Sequence, residues 1–191
     1  MPGIQDSGAG FRKPNSTSTS PLTMIFETIR LYVRQLEEND DAAFFELMSN
    51  PNVMDPIPQK PFDKEQSSSK LAELILLEGS SDTKIWCLCK KGCNDLIGIC
   101  GVLKNDEKED EIAYRIIERF WGNGYGTEIA RGLIDYCFVN KRSDLVTADV
   151  CVDNARSVSI LNKYFTVKKE FFNAEDNCMD RRYVLKKEDW L

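Results

Sequence analysis

Hydrophobic and polar residues follow one another in regular patterns from residue 28 onward, and these patterns predict secondary structure. In TIRLYVRQL (28–36) apolar side chains alternate with polar ones, which is typical of a strand with one buried face. In DDAAFFELMSN (40–50) the apolar residues recur at helical spacing, and Pro51 ends the predicted helix. We expect a proline-rich loop from Pro51 to Pro61 and a second helix over 63–78.

The rest of the pattern alternates between strands and helices. Three apolar runs joined by short polar turns predict an antiparallel meander: KIWCLCK (84–90), LIGICGVL (96–103) and EIAYRII (111–117). A helix from about 126 to 139 follows, and then a strand, a helix and two closing strands: DLVTADVCV (144–152), ARSVSILNKY (155–164), TVKKEFF (166–172) and MDRRYVLKK (179–187). This order predicts an α/β (α+β) fold with a mixed, mostly antiparallel sheet of about seven strands and helices on both faces.

The first 23 residues differ in composition from the rest of the chain. They are rich in Ser, Thr, Pro and Gly, and they contain no apolar run that would suit the hydrophobic region of a signal peptide. We expect residues 1–23 to be a disordered leader or an artificial extension. Residues 24–191 are expected to fold as one domain.

Composition narrows the possible functions. The net charge of −6 argues against nucleic-acid binding, and no segment suits a membrane span. Because histidine is absent, the usual general base and the usual zinc ligand are missing. Most of the seven cysteines lie in apolar runs, namely Cys87, Cys89, Cys100, Cys137 and Cys151. We therefore expect buried reduced thiols, a cytoplasmic location and no metal site.

The stretch FWGNGYGTEIA (120–130) has three glycines at alternate positions just before a predicted helix. Amide groups at a helix N-terminus have no acceptor within the helix, and glycine lets the backbone approach an anion closely. Arg119 precedes the glycines and adds a positive charge. The pattern predicts a turn that binds phosphate.

Two nucleotide-binding motifs do not fit this stretch. A P-loop requires a lysine after its last glycine, and no lysine follows here. A dinucleotide-binding turn requires G-x-G-x-x-G, but Thr127 occupies the position of the third glycine. That turn also belongs to a parallel sheet, whereas the preceding segments are predicted hairpins.

The stretch resembles the acetyl-CoA signature (Q/R)-x-x-G-x-(G/A) of the GNAT N-acetyltransferases, here Arg119-Phe-Trp-Gly122-Asn-Gly124. The flanking sequences resemble the RimJ/RimL branch, which modifies protein N-termini and other amines: RLYVRQLEENDDAAFFELMSNPNVM (30–54), EIAYRIIERFWGNGYGTEIARGLIDYCF (111–138) and VDNARSVSILNKY (152–164). The resemblance covers about residues 24–190. It implies a GNAT-like sheet in which the strand before the signature splays from its parallel neighbour.

The resemblance also implies where the cofactor binds. The pantetheine arm would lie in the gap between the splayed strands and contact Arg115, Ile116 and Ile117. The diphosphate would bind the amides of the glycine-rich turn, at Gly122, Asn123, Gly124, Tyr125, Gly126 and Thr127. Asn154 suits the N-cap of the following helix, and the resemblance adds a contact with the cofactor or the wall of the site.

Acetyl transfer to an amine requires an acceptor for the amine proton and a proton donor for the departing thiolate. The resemblance places Glu111 near the acceptor amine. With a pKa of about 4.3, Glu111 would hold the ammonium and relay its proton rather than act as a strong base. Ser157 falls where the branch has a serine that hydrogen-bonds or protonates the CoA sulfur. Many other family members carry a tyrosine acid at the position of Leu161, so that mechanism is not available here.

The resemblance implies an acyl-CoA-dependent N-acetyltransferase, in which the acceptor amine attacks acetyl-CoA directly in a ternary complex. The acceptor would be a protein N-terminus or a small amine, bounded by the Pro51–Pro61 loop, the second helix and the last hairpin. We expect a monomer or a homodimer. The family usually has Gly-Phe after the last helix, whereas this chain has Phe165-Thr166. A non-catalytic acyl-CoA-binding sensor or assembly module therefore stays open as an alternative.

Overall fold

A computed structural model describes residues 24–54, 60–79 and 81–190, which form one open sheet with helices on both faces. The strands are β1 (Met24–Glu27), β2 (Leu31–Arg34), β3 (Lys84–Lys90), β4 (Leu96–Lys104), β5 (Asp110–Ile116), β6 (Leu145–Cys151), β7 (Thr166–Asn173) and β8 (Cys178–Lys186). The helices are α1 (Asp41–Ser49), α2 (Pro51–Met54), α3 (Lys64–Leu77), α4 (Tyr125–Tyr136) and α5 (Ala155–Leu161). The predicted leader lies outside the described residues.

The strands are ordered β1-β2-β3-β4-β5-β6-β8-β7, and only the β5–β6 pair is parallel among these neighbours. The predicted mixed, mostly antiparallel sheet is confirmed, with one more strand than expected. The additional strand is β1, which turns into β2 where the Thr28 N–H donates to the Leu31 carbonyl at 2.8 Å. A four-residue edge strand is too short for alternation to reveal it.

Helices cover the two faces of the sheet with separate apolar clusters. Helices α4 and α5 pack against one face through side chains such as Ile129 and Leu161. Helices α1, α2 and α3 pack against the other face through side chains such as Phe44 and Leu71. Among the described residues, no helix combines the length and the apolar character needed to cross a bilayer.

The prediction of a loop from Pro51 onward is wrong at its start, because Pro51 begins the short helix α2. Proline suits the first position of a helix, where its missing N–H would have no partner. The Asn50 side chain accepts a hydrogen bond from the Asn52 N–H at 2.9 Å and so caps this turn. Residues 55–59 of the predicted loop lie outside the described residues.

Strands β5 and β6 separate almost as soon as they meet. Their parallel pairing consists of Asp110 with Val146 and Glu111 with Thr147. Strand β5 pairs with β4 along its whole length, and β6 pairs with β8 along its whole length. The sheet therefore opens between Ile112–Ile116 of β5 and Ala148–Cys151 of β6, and we call this opening the β5–β6 gap.

Candidate active site

A cavity of about 1330 Å³ includes the β5–β6 gap. Strands β4, β5 and β6 line it, together with parts of α1, α3, α5, β7 and β8. It brings together four of the residues that the sequence predicts, namely Glu111, Arg115, Asn154 and Ser157. The glycine-rich turn, which we define as residues 121–127, follows β5 and leads into α4.

The edge of β5 that faces the gap has a defined set of backbone groups. The Ile117 N–H donates to the Ile97 carbonyl at 2.9 Å, and Arg115 lies opposite Ile99 of β4. Because alternate residues of an antiparallel strand turn their backbone groups in opposite directions, Tyr114 and Ile116 turn theirs toward the gap. Arg115 and Ile117, which the sequence also assigns to the cofactor, direct theirs toward β4.

Trp121 fixes the start of the glycine-rich turn. Its indole N–H donates to the Ile116 carbonyl at 2.7 Å, which leaves the Ile116 N–H facing the gap. The Asn123 side chain donates to the carbonyls of Phe120 and Trp121 at 3.0 and 3.1 Å. These bonds hold the turn in one conformation before any ligand arrives.

The three glycines of the turn serve two different purposes. Gly122 and Gly124 have φ angles of 76° and 79°, a left-handed conformation that costs other residues energy. Gly126 lies inside α4, where a Cβ would come within 2.9 Å of Ile160 Cδ1. Its role is therefore close packing of α4 against α5, and only the first two glycines shape the turn.

The first turn of α4 presents free amides. Gly124 is the N-cap and has no side chain to cap the helix. The first backbone bond of this helix runs from the Glu128 N–H to the Gly124 carbonyl at 3.1 Å. The amides of Tyr125, Gly126 and Thr127 precede that bond and have no acceptor within the helix. With the positive end of the helix dipole, they form an arrangement suited to a phosphate group.

The sequence predicts Arg119 as the cation near the N-terminus of α4, but other cations lie closer to it. Arg119 forms an ion pair with Glu46 of α1 and stacks on Phe120, so its charge is partly engaged. Lys163, in contrast, lies with its Nζ 3.4 Å from the Thr127 hydroxyl.

Arg156 is a second cation on the α5 side, and its guanidinium covers the Trp121 ring at 4.2 Å from the centroid. Lys163 lies two residues beyond the end of α5, in the turn that follows this helix. The sequence gives no signal that these two cations lie near the glycine-rich turn, because tertiary packing brings them there.

Glu111 lies where β5 and β6 part, and its side chain is partly buried. Burial, with a smaller contribution from the charges of Asp149, Asp180 and Asp106, raises the pKa of Glu111 from 4.5 to about 7, against the opposite effect of Arg182. The expectation of an ordinary carboxyl pKa is therefore wrong. The reason is that the sequence shows neither the burial of this side chain, which is the larger cause, nor its acidic neighbours, which come from three other segments. A carboxylate with a pKa near 7 is a competent general base.

Asn154 and Ser157 lie at the start of α5, on the opposite wall of the gap. The Asn154 side chain accepts from the Ser157 N–H at 3.1 Å, so the predicted N-cap is confirmed. Leu161 is buried in the core, one turn further along the helix. Phe165 also fills the core, against Tyr183, which accounts for the departure from the usual Gly-Phe sequence.

Tyr114 is a polar group of the gap that sequence reasoning missed. Its hydroxyl is buried and makes no hydrogen bond of standard geometry with a described residue. Burial raises the pKa of Tyr114 to about 12, against a smaller lowering by the neighbouring Ser157 hydroxyl. Tyr114 lies between Ile112 and Ile116 on the apolar face of β5, so the alternation pattern presents it as a core residue. It stays protonated at neutral pH and can donate a hydrogen bond into the gap.

All seven cysteines are free, and the five in apolar runs are buried, as predicted. Within the described part of the chain, Cys151, Cys178 and Asp180 are a group of potential metal ligands whose donor atoms lie within 4.8 Å of one another. The Asp180 carboxylate already accepts bonds from Cys178 Sγ at 3.3 Å and Asn173 Nδ2 at 2.8 Å. Three ligands are also one fewer than a structural zinc site uses.

Comparison with known proteins identifies the family. The acetyltransferase (GNAT) domain family matches residues 30–164. The N-acetyltransferase p20 of Bacillus licheniformis is 28% identical over 140 residues, which cover 71% of this chain and 78% of that protein. The N-acetyltransferase YoaA of Bacillus subtilis is 29% identical over 142 residues, which cover 73% of this chain and 80% of that protein.

Solved structures show the same fold. A GNAT acetyltransferase from Bacillus anthracis has a TM-score of 0.75 at 23% identity, covering 87% of this chain and 99% of its own. RimL, a ribosomal L7/L12 α-N-protein acetyltransferase solved in complex with coenzyme A, has a TM-score of 0.72 at 18% identity, covering 86% of this chain and 98% of its own. The chain belongs to the GNAT family and is an acyl-CoA-dependent N-acetyltransferase.

Proposed function

We propose that this protein transfers the acetyl group of acetyl-CoA to a primary amine by direct attack within a ternary complex. The observation that carries the proposal is the β5–β6 gap, which runs between the free amides of α4 and the carboxylate of Glu111. The acceptor would be a protein N-terminus or a small amine. The protein-N-terminal activity stated for RimL, and for a relative from Salmonella typhimurium that modifies the N-terminal serine of L7/L12, supports the first of these.

In this proposal the cofactor bridges the two ends of the gap. The diphosphate binds the amides at Gly122–Thr127, near the charges of Arg119, Arg156 and Lys163. The pantetheine arm runs along β5 and hydrogen-bonds the backbone of Tyr114 and Ile116, in the manner of an added strand. This path brings the thioester toward Glu111, Ser157 and the Tyr114 hydroxyl.

The chemistry then follows from the two walls of the gap. Glu111 accepts a proton from the acceptor ammonium, directly or through water, and the free amine attacks the thioester carbonyl. The C–S bond breaks as the tetrahedral intermediate collapses, the nitrogen gives up its second proton to the departing thiolate through Ser157 or water, and the amide product forms. Ser157 hydrogen-bonds the departing thiolate or protonates it, and the Tyr114 hydroxyl supports it with a second hydrogen bond.

A two-stage experiment tests the proposal. Thermal unfolding with acetyl-CoA measures binding, and release of free thiol with a panel of amines measures transfer. We expect acetyl-CoA to raise the melting temperature and Glu111→Gln to lower turnover about 100-fold or more while binding persists. Glu109→Gln is the matched control, since Glu109 lies two residues away and pairs with Lys168 at the surface. Binding without thiol release for every amine would favour the sensor, and absence of binding would refute both.

A further inference from the structure

Arg115 lies on the wall of the cavity that faces α1 and α2, and the proposed chemistry leaves its side chain unused. It shares one face of β5 with Glu111 and Ala113, because side chains of a strand alternate. Its guanidinium lies against Met48 and Met54, on the side of the sheet opposite to Tyr114. The side chain is partly buried and lines the same cavity as Glu111.

Among the described residues, the Arg115 guanidinium lacks the carboxylate partner that a buried cation normally has. Its Nη1 is 3.1 Å from the sulfur of Met54 and 3.5 Å from that of Met48. Thioether sulfur is a weak acceptor, and a guanidinium has five N–H donors. Within the described residues, no carboxylate oxygen comes within ion-pair distance of it, and the charge of Asp176 favours its charged form. Burial lowers the pKa of Arg115, although a guanidinium stays charged at neutral pH.

In the described part of the chain, two arginines are almost fully buried, and each of them has the carboxylate partner that Arg115 lacks. Arg34 pairs with both oxygens of Asp40 at 2.7 and 2.9 Å. Arg182 pairs with Asp149 and Asp106, each at 2.6 Å. A charge removed from water without such a partner is costly, and an Arg fork matches a carboxylate in two parallel hydrogen bonds. Arg115 therefore presents an unfilled carboxylate site to the cavity.

We propose that Arg115 binds a carboxylate of the acceptor, so that the substrate class is an amine that also carries a carboxylate. This inference rests on the proposed acetyl transfer, in which Glu111 faces the amine. The charges near Glu111 match this orientation, because Asp106, Asp149 and Asp180 lie around it and Arg182, which pairs with the first two, offsets only part of their charge. A zwitterionic acceptor aligns its ammonium with that end and its carboxylate with Arg115.

The spacing along β5 favours an acceptor longer than an amino acid. Glu111 and Arg115 are four residues apart in the strand, so their α-carbons are separated by about 13 Å. The amine and the carboxylate of an α-amino acid share one carbon, so they bridge less of that separation than those of a peptide. A short peptide, or a peptide N-terminus followed by an acidic residue, places more bonds between the two groups. The terminal carboxylate and the acidic side chain are two sources of the same chemistry.

Paired acceptors test the inference without any variant. Alanyl-alanine is compared with alanyl-alanine amide, and alanyl-aspartyl amide with alanyl-asparaginyl amide, by initial rates of thiol release. We expect the wild-type enzyme to favour the charged member of at least one pair about 30-fold or more in kcat/KM, as for a buried charge-assisted pair. The first pair identifies a terminal carboxylate and the second an acidic side chain. Equal rates within both pairs would overturn the inference.

Arg115→Met then assigns the preference to this residue. Methionine suits the thioether surroundings, and Arg115→Lys keeps the charge without the fork. We expect Arg115→Met to raise KM for the charged acceptor about 30-fold or more, with KM for its neutral partner and for acetyl-CoA little changed. Arg115→Lys should restore part of the preference. Loss of turnover with both members of a pair, or a higher KM for acetyl-CoA, would overturn the inference and place Arg115 with the cofactor. Absence of turnover with every amine would instead refute the proposed transfer and this inference with it.

Discussion

Replacing Glu111 with glutamine should stabilise the protein in a manner that depends on pH. The folded state raises the pKa of Glu111 from 4.5 to about 7, so the native protein binds this proton more tightly than the unfolded chain. The contribution to stability is therefore fully present below about pH 4.5 and is lost as pH rises through about 7. Above that range the wild-type protein buries an anion, and the cost approaches about 3 kcal/mol at 1.36 kcal/mol for each pKa unit.

The measurement is urea unfolding of the wild type and Glu111→Gln at pH 5 and pH 8. At pH 5 the carboxyl of the unfolded chain is already partly ionised, so the wild type has lost part of the stabilisation. We expect the free energy of unfolding of the variant to exceed that of the wild type by about 2 kcal/mol more at pH 8 than at pH 5. Comparing the two pH values cancels the constant difference between a carboxyl and an amide in the same site. Glu109→Gln, at a carboxylate that pairs with Lys168, serves as the control and should gain no such advantage at pH 8.

The Glu111 carboxyl should also control turnover, but activity requires its ionised form, whereas stability favours its protonated form. The free base must be ionised, so kcat/KM of the wild-type enzyme should rise with pH through an inflection near 7. In Glu111→Gln, kcat/KM should no longer rise with pH through 7, and its value at high pH should be lower than that of the wild type. An inflection near 4.5, or equal stability gains at pH 5 and pH 8, would show that Glu111 has an ordinary pKa and would refute the reasoning.

Three other residues of the site and the core have roles that single substitutions can measure. Tyr114→Phe should leave urea stability within about 1 kcal/mol, because the buried hydroxyl lacks a standard partner, but should lower kcat for thiol release about 10-fold. Asp40→Asn should cost about 3 kcal/mol in urea unfolding, because it leaves the Arg34 charge buried without its anion. Gly124→Ala should weaken acetyl-CoA binding in calorimetry and cost about 1 kcal/mol of stability, since its φ of 79° is left-handed. Unchanged kcat for Tyr114→Phe, unchanged stability for Asp40→Asn or unchanged acetyl-CoA affinity for Gly124→Ala would count against the feature concerned.

Most of the fold could be predicted from the sequence because its elements carry strong local patterns. Strands β2 to β8 and helices α1, α3, α4 and α5 each coincide with a predicted segment, with boundaries that differ by at most three residues. The two misses have local explanations. β1 is a short edge strand defined by pairing with β2, and α2 is a single turn that begins at a proline. Neither is long enough to show a period.

The site was less accessible to sequence reasoning because its properties arise between segments. The glycine-rich turn is local, and its left-handed residues follow from the glycine pattern. The raised pKa of Glu111 depends first on its burial and then on carboxylates that tertiary structure brings near it. The engagement of Arg119 by Glu46 likewise depends on the position of α1. Tyr114 was missed because an aromatic residue between two isoleucines fits a core strand as well as a site.

The brief contact between β5 and β6 divides the sheet into two blocks, one of five strands and one of three, joined edge to edge by two residue pairs. A junction this short contributes few hydrogen bonds between the blocks, so they are held together mainly by the apolar cluster under α4 and α5, which includes Ile116 of β5 and Val150 of β6. A ligand that lies along β5 would fill the β5–β6 gap and stabilise the two blocks against each other. Its arrival should therefore slow amide exchange on both sides at once, even at residues of β6 and β8 that it does not touch.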